Sequence, residues 1–334
     1  MSKKVLILCS RNDKSVAKVA DEVARLCGSV SLCYPLPFTR ESSISLRHDK
    51  IDSFHGNLMV ETRVGDRTHD ERLSVKDIGC AWFIRPGVGV KITNVGLSAQ
   101  QQVAQSEAKA CLRSFYDCIR ATWVNHPRAV NNVEDNKLYQ LSVASNVGLR
   151  TPETLITNDP DELIAFATAM GGKIAVKPLF TRLFTVDGEV SFVYTNLIDT
   201  EWIANHKEQV RVAPVLAQRY VAKKFEVRTT VIGGRMLSCA IYSQQSKRSN
   251  IDWRRYDIDN TPHKPYSLPF DIEGQLINCM QALNLQFGAA DFVVTPEGEH
   301  VFLEVNPSGQ WGWVERLTGL NITGMIAEHL ISAL

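Results

Sequence analysis

Gly288-Ala289-Ala290-Asp291-Phe292-Val293-Val294-Thr295-Pro296-Glu297-Gly298-Glu299-His300-Val301-Phe302-Leu303-Glu304-Val305-Asn306-Pro307 is the stretch on which the fold of this chain turns. Two apolar runs flank Glu297-Gly298, a turn signal, so the segment predicts a β-hairpin. With the turn centred there, Thr295 faces His300, and four residues further along each arm Asp291 falls opposite Glu304. Side chains alternate faces along a strand, which puts Asn306 on the face of Glu304. Asp291, Glu304 and Asn306 therefore converge at one end of an otherwise apolar hairpin. Facing carboxylates repel unless a cation lies between them. A hard cation with oxygen ligands and phosphates answers that need, and the Asn carbonyl adds a third oxygen. A solvated edge with unpaired acids is the alternative, and the buried pattern of Val, Phe and Leu speaks against it.

Outward from the hairpin, the last third reads as antiparallel sheet with one helix. Strand 226–232 turns at Gly233-Gly234 into strand 235–242, an irregular segment 243–270 follows, and helices are expected at 272–284 and 321–333. In the middle third a helix carries Lys137, Leu138, Leu141 and Val147 and ends at Gly148. Asp159-Pro160-Asp161-Glu162 starts another helix, with an acidic cap and Pro at the first helical position, and Gly171-Gly172 stops it. Strands 154–157 and 173–177, a hairpin turn at Asp187-Gly188, a helix near 199–209 and strand 215–221 complete this part. The first third alternates strand 4–9, helix 14–27, strand 29–34, a polar stretch, strand 80–84 and helix 97–121. That is an open α/β unit of the doubly wound type. Cys9-Ser10-Arg11-Asn12-Asp13 is no GxGxxG turn, so a dinucleotide reading has nothing to stand on. The domain expectation is 1–120, 121–217 and 218–334.

The 334 residues suffice for two or three subdomains. Lys and Arg number 37 against 36 Asp and Glu, a formal net charge of +1, which demands neither a nucleic-acid nor an anionic-membrane partner. No apolar run approaches the roughly 20 residues needed to span a bilayer. The eight cysteines show no CxxC and no zinc-type pairing with histidine, and read as reduced core thiols of a cytoplasmic protein.

Asp291 followed by Phe302-Leu303-Glu304-Val305-Asn306-Pro307 resembles the magnesium site of the ATP-grasp superfamily. The resemblance covers roughly residues 130–310 and implies an ATP-grasp fold behind an N-terminal open α/β domain. It implies two phosphate-binding lysines, matched by Lys137 and Lys177. It also implies an adenine hinge, matched by Gln218-Arg219-Tyr220-Val221, and a ribose-binding acid, matched by Glu226. The cofactors it implies are ATP and Mg2+. Hinge backbone and apolar neighbours suit adenine, a carboxylate suits two ribose hydroxyls, and lysines suit phosphate. Glu226 and Arg228 share one strand face, so Arg228 is expected to point toward the nucleotide and the carboxylate to be activated.

Within the superfamily, Asp252-Trp253-Arg254-Arg255-Tyr256-Asp257 and Asn306-Pro307-Ser308-Gly309-Gln310-Trp311-Gly312-Trp313-Val314-Glu315 are similar to the graspetide, microviridin-type peptide macrocyclases. Tyr266-Ser267-Leu268-Pro269 and Lys224-Phe225-Glu226-Val227-Arg228 point the same way. Phe180-Thr181-Arg182-Leu183-Phe184 replaces the Gly/Ser-rich phosphate loop of the wider superfamily. The first 120 residues match loosely, through Trp82-Phe83-Ile84-Arg85-Pro86. The group's activity implies ester or amide crosslinks made through acyl phosphates in a ribosomal precursor peptide, whose leader and core are the partner. Arg228 is then the first candidate to bridge phosphate and acceptor carboxylate, and Arg254 the second. The leader platform would be the Asp187-Gly188 hairpin with the helix carrying Glu201, Trp202 and Ile203. Two alternatives stand beside this reading: a ligase for free amino acids or a protein tail, and a non-catalytic ATP-binding module. A homodimer is the candidate assembly.

Overall fold

The structure, a computed structural model, describes residues 3–34, 44–48, 54–64, 67–86, 98–179, 184–186, 189–191, 193–246, 251–253 and 257–334. Arg254, the turn residues Asp187 and Gly188, and 180–183 lie outside the described residues.

The N-terminal part contains β1 (Lys4–Leu8), α1 (Lys14–Cys27), β2 (Val30–Cys33), β3 (Ile44–His48), β4 (Phe54–Val64), β5 (Arg67–Ser74), β6 (Ile78–Phe83), α2 (Ser98–Cys118) and β7 (Thr122–Val124). Its sheet runs β3-β4-β2-β1-β6-β7, with β5 on the other side of β4. Strands β2, β1, β6 and β7 are parallel, whereas β3, β4 and β5 form an antiparallel ribbon. That ribbon falls in the stretch read as merely polar. It buries Leu58, Val60 and Leu73 on one face and turns charged residues outward on β5, so its strand signal is diluted.

The middle part holds α3 (Pro127–Val133), α4 (Lys137–Asn146), β8 (Thr154–Thr157), α5 (Pro160–Ala169), β9 (Lys173–Lys177), β10 (Phe184–Val186), β11 (Glu189–Ser191), β12 (Asn196–Asp199), α6 (Thr200–Asn205), α7 (Lys207–Val212) and β13 (Val215–Arg219). Strands β12-β9-β13-β8 make an antiparallel sheet, and β10 pairs with β11. The caps follow the local chemistry. Asp159 accepts from the Asp161 backbone N–H, and Gly148 sits at φ 94°, where a Cβ would be strained. The single helix expected over 199–209 is two, because the backbone leaves the helical region at His206 (φ −128°, ψ 30°).

The C-terminal part contains β14 (Phe225–Ile232), β15 (Arg235–Ile241), β16 (His263–Tyr266), α8 (Phe270–Ala282), β17 (Phe287–Val294), β18 (His300–Asn306), α9 (Gly312–Thr318) and α10 (Ile322–Ser332). Its antiparallel sheet runs β16-β15-β14-β17-β18. Strand β14 is buried along its whole length. Two cores position the site. One joins α1, β1 and Trp82 of the N-terminal part to Phe287, Trp311 and α10, so both ends of the chain share apolar packing. The other packs α3, α4 and α8 on one face of the C-terminal sheet. Among the described residues no helix is long and apolar enough to cross a membrane.

Candidate active site

Strand pairing sets the acids of the site. Asp291 on β17 stands opposite Glu304 on β18, as the turn count predicts, but the path there differs. His300 faces Val294 rather than Thr295, and the register slips at a bulge, with Leu303 the extra residue between Phe302 and Glu304. The tighter turn is closed by Thr295, whose N–H donates to the Glu299 carbonyl at 2.9 Å. The bulge offsets the one-residue shift and restores the acid pair. Asn306 follows two residues on; its Oδ1 accepts from the Ser308 N–H at 2.8 Å, which holds the loop after β18 in a tight turn.

Besides any shared cation, the two carboxylates meet side-chain cations. Each acid has its own. Arg228, next to Asp291 in the β14–β17 register, donates from Nη1 to Asp291 Oδ2 at 2.7 Å. Lys137 Nζ lies 2.9 Å from Glu304 Oε2. Both cations are nearly buried, with side chains 8% and 10% exposed. Lys137 reaches Glu304 because α4 lies on β18. Gln140, one turn further along α4, fastens the two: its Oε1 accepts from the Val305 N–H and its Nε2 donates to the Val133 carbonyl, each at 2.8 Å. Gln140 is a residue the sequence reading passed over, since a lone Gln on a helix carries no signal until its neighbour is known.

A cleft between the middle and C-terminal sheets gathers Lys137, Lys177, Gln218, Tyr220, Val221, Glu226, Asp291 and Glu304. It is narrow and open to solvent, with a cavity volume of about 90 Å³. Lys177 enters from the end of β9, beside Leu216 of β13. Gln218 is buried in β13 and donates from Nε2 to Thr154 Oγ1 at 3.0 Å. Tyr220 and Val221 lie on the crossing from β13 to β14. At its inner end Glu226 is buried, and Lys223 Nζ donates to its Oε1 at 2.5 Å and to the Ile251 carbonyl at 3.0 Å. Glu226 Oε2 is buried with no donor in full hydrogen-bond geometry, although the Ser243 hydroxyl is a neighbouring donor to this carboxylate. Burial raises the Glu226 pKa above its ordinary value, against the opposing pull of Lys223. A buried acceptor left open is costly, and a ligand hydroxyl would satisfy it.

A second cleft, lined by Arg85, Tyr194, Arg228, Asn306 and Trp313 among others, adjoins the first. The two share Lys137, Trp253, Asp291 and Glu304. Trp253 is a common wall, and its segment is anchored next door, where Asp252 Oδ2 accepts from the Thr195 N–H at 2.9 Å. The structure thus brings together all the described candidate residues, with Arg228 and Asn306 on the second cleft and the others on the first or on both. Asp291 and Glu304 at this junction, with the Asn306 amide on the adjoining cleft, are oxygen donors of the kind that a hard divalent cation takes.

No protein-family model matches the chain. The alpha-aminoadipate–LysW ligase LysX of Sulfurisphaera tokodaii is 22% identical over 204 residues, which are 59% of this chain and 66% of that ligase. Solved structures are alike over nearly the full length. The RiPP-associated ATP-grasp ligase of Chryseobacterium gregarium, in complex with ADP and a leader and core peptide, is 25% identical with a TM-score of 0.87, covering 99% of this chain and 97% of that one. Macrocyclase MdnC of Microcystis aeruginosa, bound to precursor peptide MdnA, is 25% identical with a TM-score of 0.82, over 99% of each chain. The likeness spans nearly the whole chain, N-terminal sheet included, and the chain has the ATP-grasp fold of these RiPP-associated ligases and macrocyclases.

Proposed function

We propose that this chain is an ATP-dependent peptide macrocyclase that joins side chains within a ribosomally made precursor. The observation that carries the reading is the meeting of two clefts at Lys137, Asp291 and Glu304, one lined by the candidate phosphate, adenine and ribose contacts and the other open alongside it. ATP supplies the phosphoryl group, which converts an Asp or Glu side chain of the peptide to an acyl phosphate. Glu226 would accept the ribose hydroxyls, the 218–221 crossing would line the adenine, and Lys177 and Lys137 would neutralise phosphate charge. Asp291, Glu304 and Asn306 would hold Mg2+. Arg228, already fixed on Asp291, would orient the acceptor carboxylate from the second cleft. Arg254 is the second arginine proposed for this task. A Ser or Thr hydroxyl or a Lys amine of the same peptide then bonds to the acyl carbon, the carbon–oxygen bond to phosphate breaks, and the nucleophile loses its proton. Each crosslink removes one water from the peptide and leaves one ADP and one phosphate.

Leader docking on the middle part is proposed with it. On α6, Ile203 is buried, while Trp202 is exposed and stacked on His206 with ring centroids 4.2 Å apart, which leaves Glu201 and Trp202 as the presented pair. The test is mass spectrometry of a candidate precursor incubated with enzyme and Mg-ATP. Loss of one water per bond with matching ADP is expected, and mild alkali reopens esters but not amides. AMP and pyrophosphate as products, or addition of free amino acid to the peptide, would overturn the macrocyclase reading.

A further inference from the structure

Four non-glycine residues have positive φ among the described residues: Arg85, Asn125, Asp135 and Asn284. Asn and Asp tolerate that region, but an arginine there costs about 1–3 kcal/mol and persists only where its surroundings over-determine it. Arg85 follows β6, and Asn125 follows β7, so both stand at the C-terminal edge of neighbouring parallel strands. Both reach the same short loop. Arg85 Nη1 donates to the carbonyls of Ser308 at 2.7 Å and Gly309 at 2.8 Å, and Asn125 Nδ2 donates to the Pro307 carbonyl at 3.0 Å. Three consecutive carbonyls after Asn306 are thus taken by two side chains from the N-terminal sheet.

Arg85 is itself held. Its Nε donates to Asp13 Oδ2 at 2.7 Å, while Asp13 Oδ1 caps α1 by accepting from Ser15 and Val16 N–H, each at 3.1 Å. The guanidinium carbon lies 5.0 Å from the centre of the Trp311 ring. The loop has little room to move inward: a Cβ at Gly309 would meet Ala289 Cβ at 2.3 Å and Arg228 Nη2 at 3.0 Å. Loop position is therefore coupled to Asn306 on one side and Arg228 on the other.

We propose that Arg85, oriented by Asp13, is a positioning residue through which the N-terminal sheet sets the Asn306 loop for the reaction; the inference rests on the reading of Asp291, Glu304 and Asn306 as a divalent-cation site. Outer partners of metal ligands tune affinity by about 10–100-fold. The experiment titrates Mn2+, as the probe, into the full-length enzyme saturated with ADP and reads bound metal by electron paramagnetic resonance, beside thermal unfolding. Arg85→Gln is expected to weaken Mn2+ binding about tenfold. Asp13→Asn keeps the helix cap and is expected to weaken it in the same direction. Adding Arg85→Gln to Asn306→Ala should cost little more than Asn306→Ala alone, since both act through one ligand. Excess metal should restore turnover in Arg85→Gln with the KM for ATP unchanged. Unchanged Mn2+ affinity in folded Arg85→Gln and Asp13→Asn would overturn the proposal and leave Arg85 as packing. Unchanged affinity in Asp291→Asn would instead remove the cation site, and the proposal with it.

Discussion

Lys137 Nζ and Glu304 Oε2 lie 2.9 Å apart, so a phosphate-binding candidate and a metal-binding candidate are paired with each other. The pair stores the site's opposite charges close together and spares both the cost of standing alone in a partly buried cleft. Nucleotide and metal binding would have to loosen it, each taking one partner.

Glu304→Gln and Asp291→Asn are each expected to abolish ATP turnover while leaving a folded but less stable chain, because a charged metal ligand is lost and a nearly buried cation keeps only a neutral amide as partner. Turnover at saturating magnesium, beside a thermal melt, checks this. Retained turnover would sink the metal assignment.

Lys177→Met should lower nucleotide affinity and rate together, because a counter-charge leaves a desolvated site. Calorimetry of ADP binding is the measurement. Unchanged affinity would reduce Lys177 to a strand-end residue.

Arg228→Ala strips the counter-ion from Asp291, whose side chain is 15% exposed, and is expected to cost about 3–5 kcal/mol of stability. Arg228→Lys keeps the charge and loses the planar fork, so it should fold, bind ADP normally and fail in the chemical step. A matching fall in ADP affinity would contradict its role at the acceptor carboxylate.

Glu226 carries a pKa raised by burial, so its protonated form favours the folded state. That contribution is full below the ordinary value of 4.5 and is lost as pH rises through the raised value. Ribose hydroxyls donating to the carboxylate would act the opposite way and favour ionisation. ADP affinity, measured by calorimetry between about pH 5 and 8, should therefore weaken toward acid in the native enzyme and lose that dependence in Glu226→Gln. The same acid dependence in Glu226→Gln would exclude Glu226 as the titrating group.

Gln140→Leu should cost about 1–3 kcal/mol, since it leaves the buried Val305 N–H and Val133 carbonyl unpaired. With α4 loosened from β18, ADP affinity should fall as well. A melt shifted without any change in affinity would show that α4 is held over Glu304 by other contacts.

Much of this was legible in the residues taken in order. The facing of Asp291 and Glu304, the buried strand with Glu226 and Arg228 on one face, and the helix ends at Gly148 and Asp159 all follow from alternation, turn chemistry and capping, which act between near neighbours in the chain. Tertiary structure decided what those groups meet. The grip of Gln140 on Val305, the ion pairs of Lys137 and Arg228, and the reach of Arg85 and Asn125 to the 307–309 carbonyls each join elements distant in sequence. Spacing specifies which face a side chain takes; the partner it finds there is set by how separate elements pack, and local pattern carries no record of that.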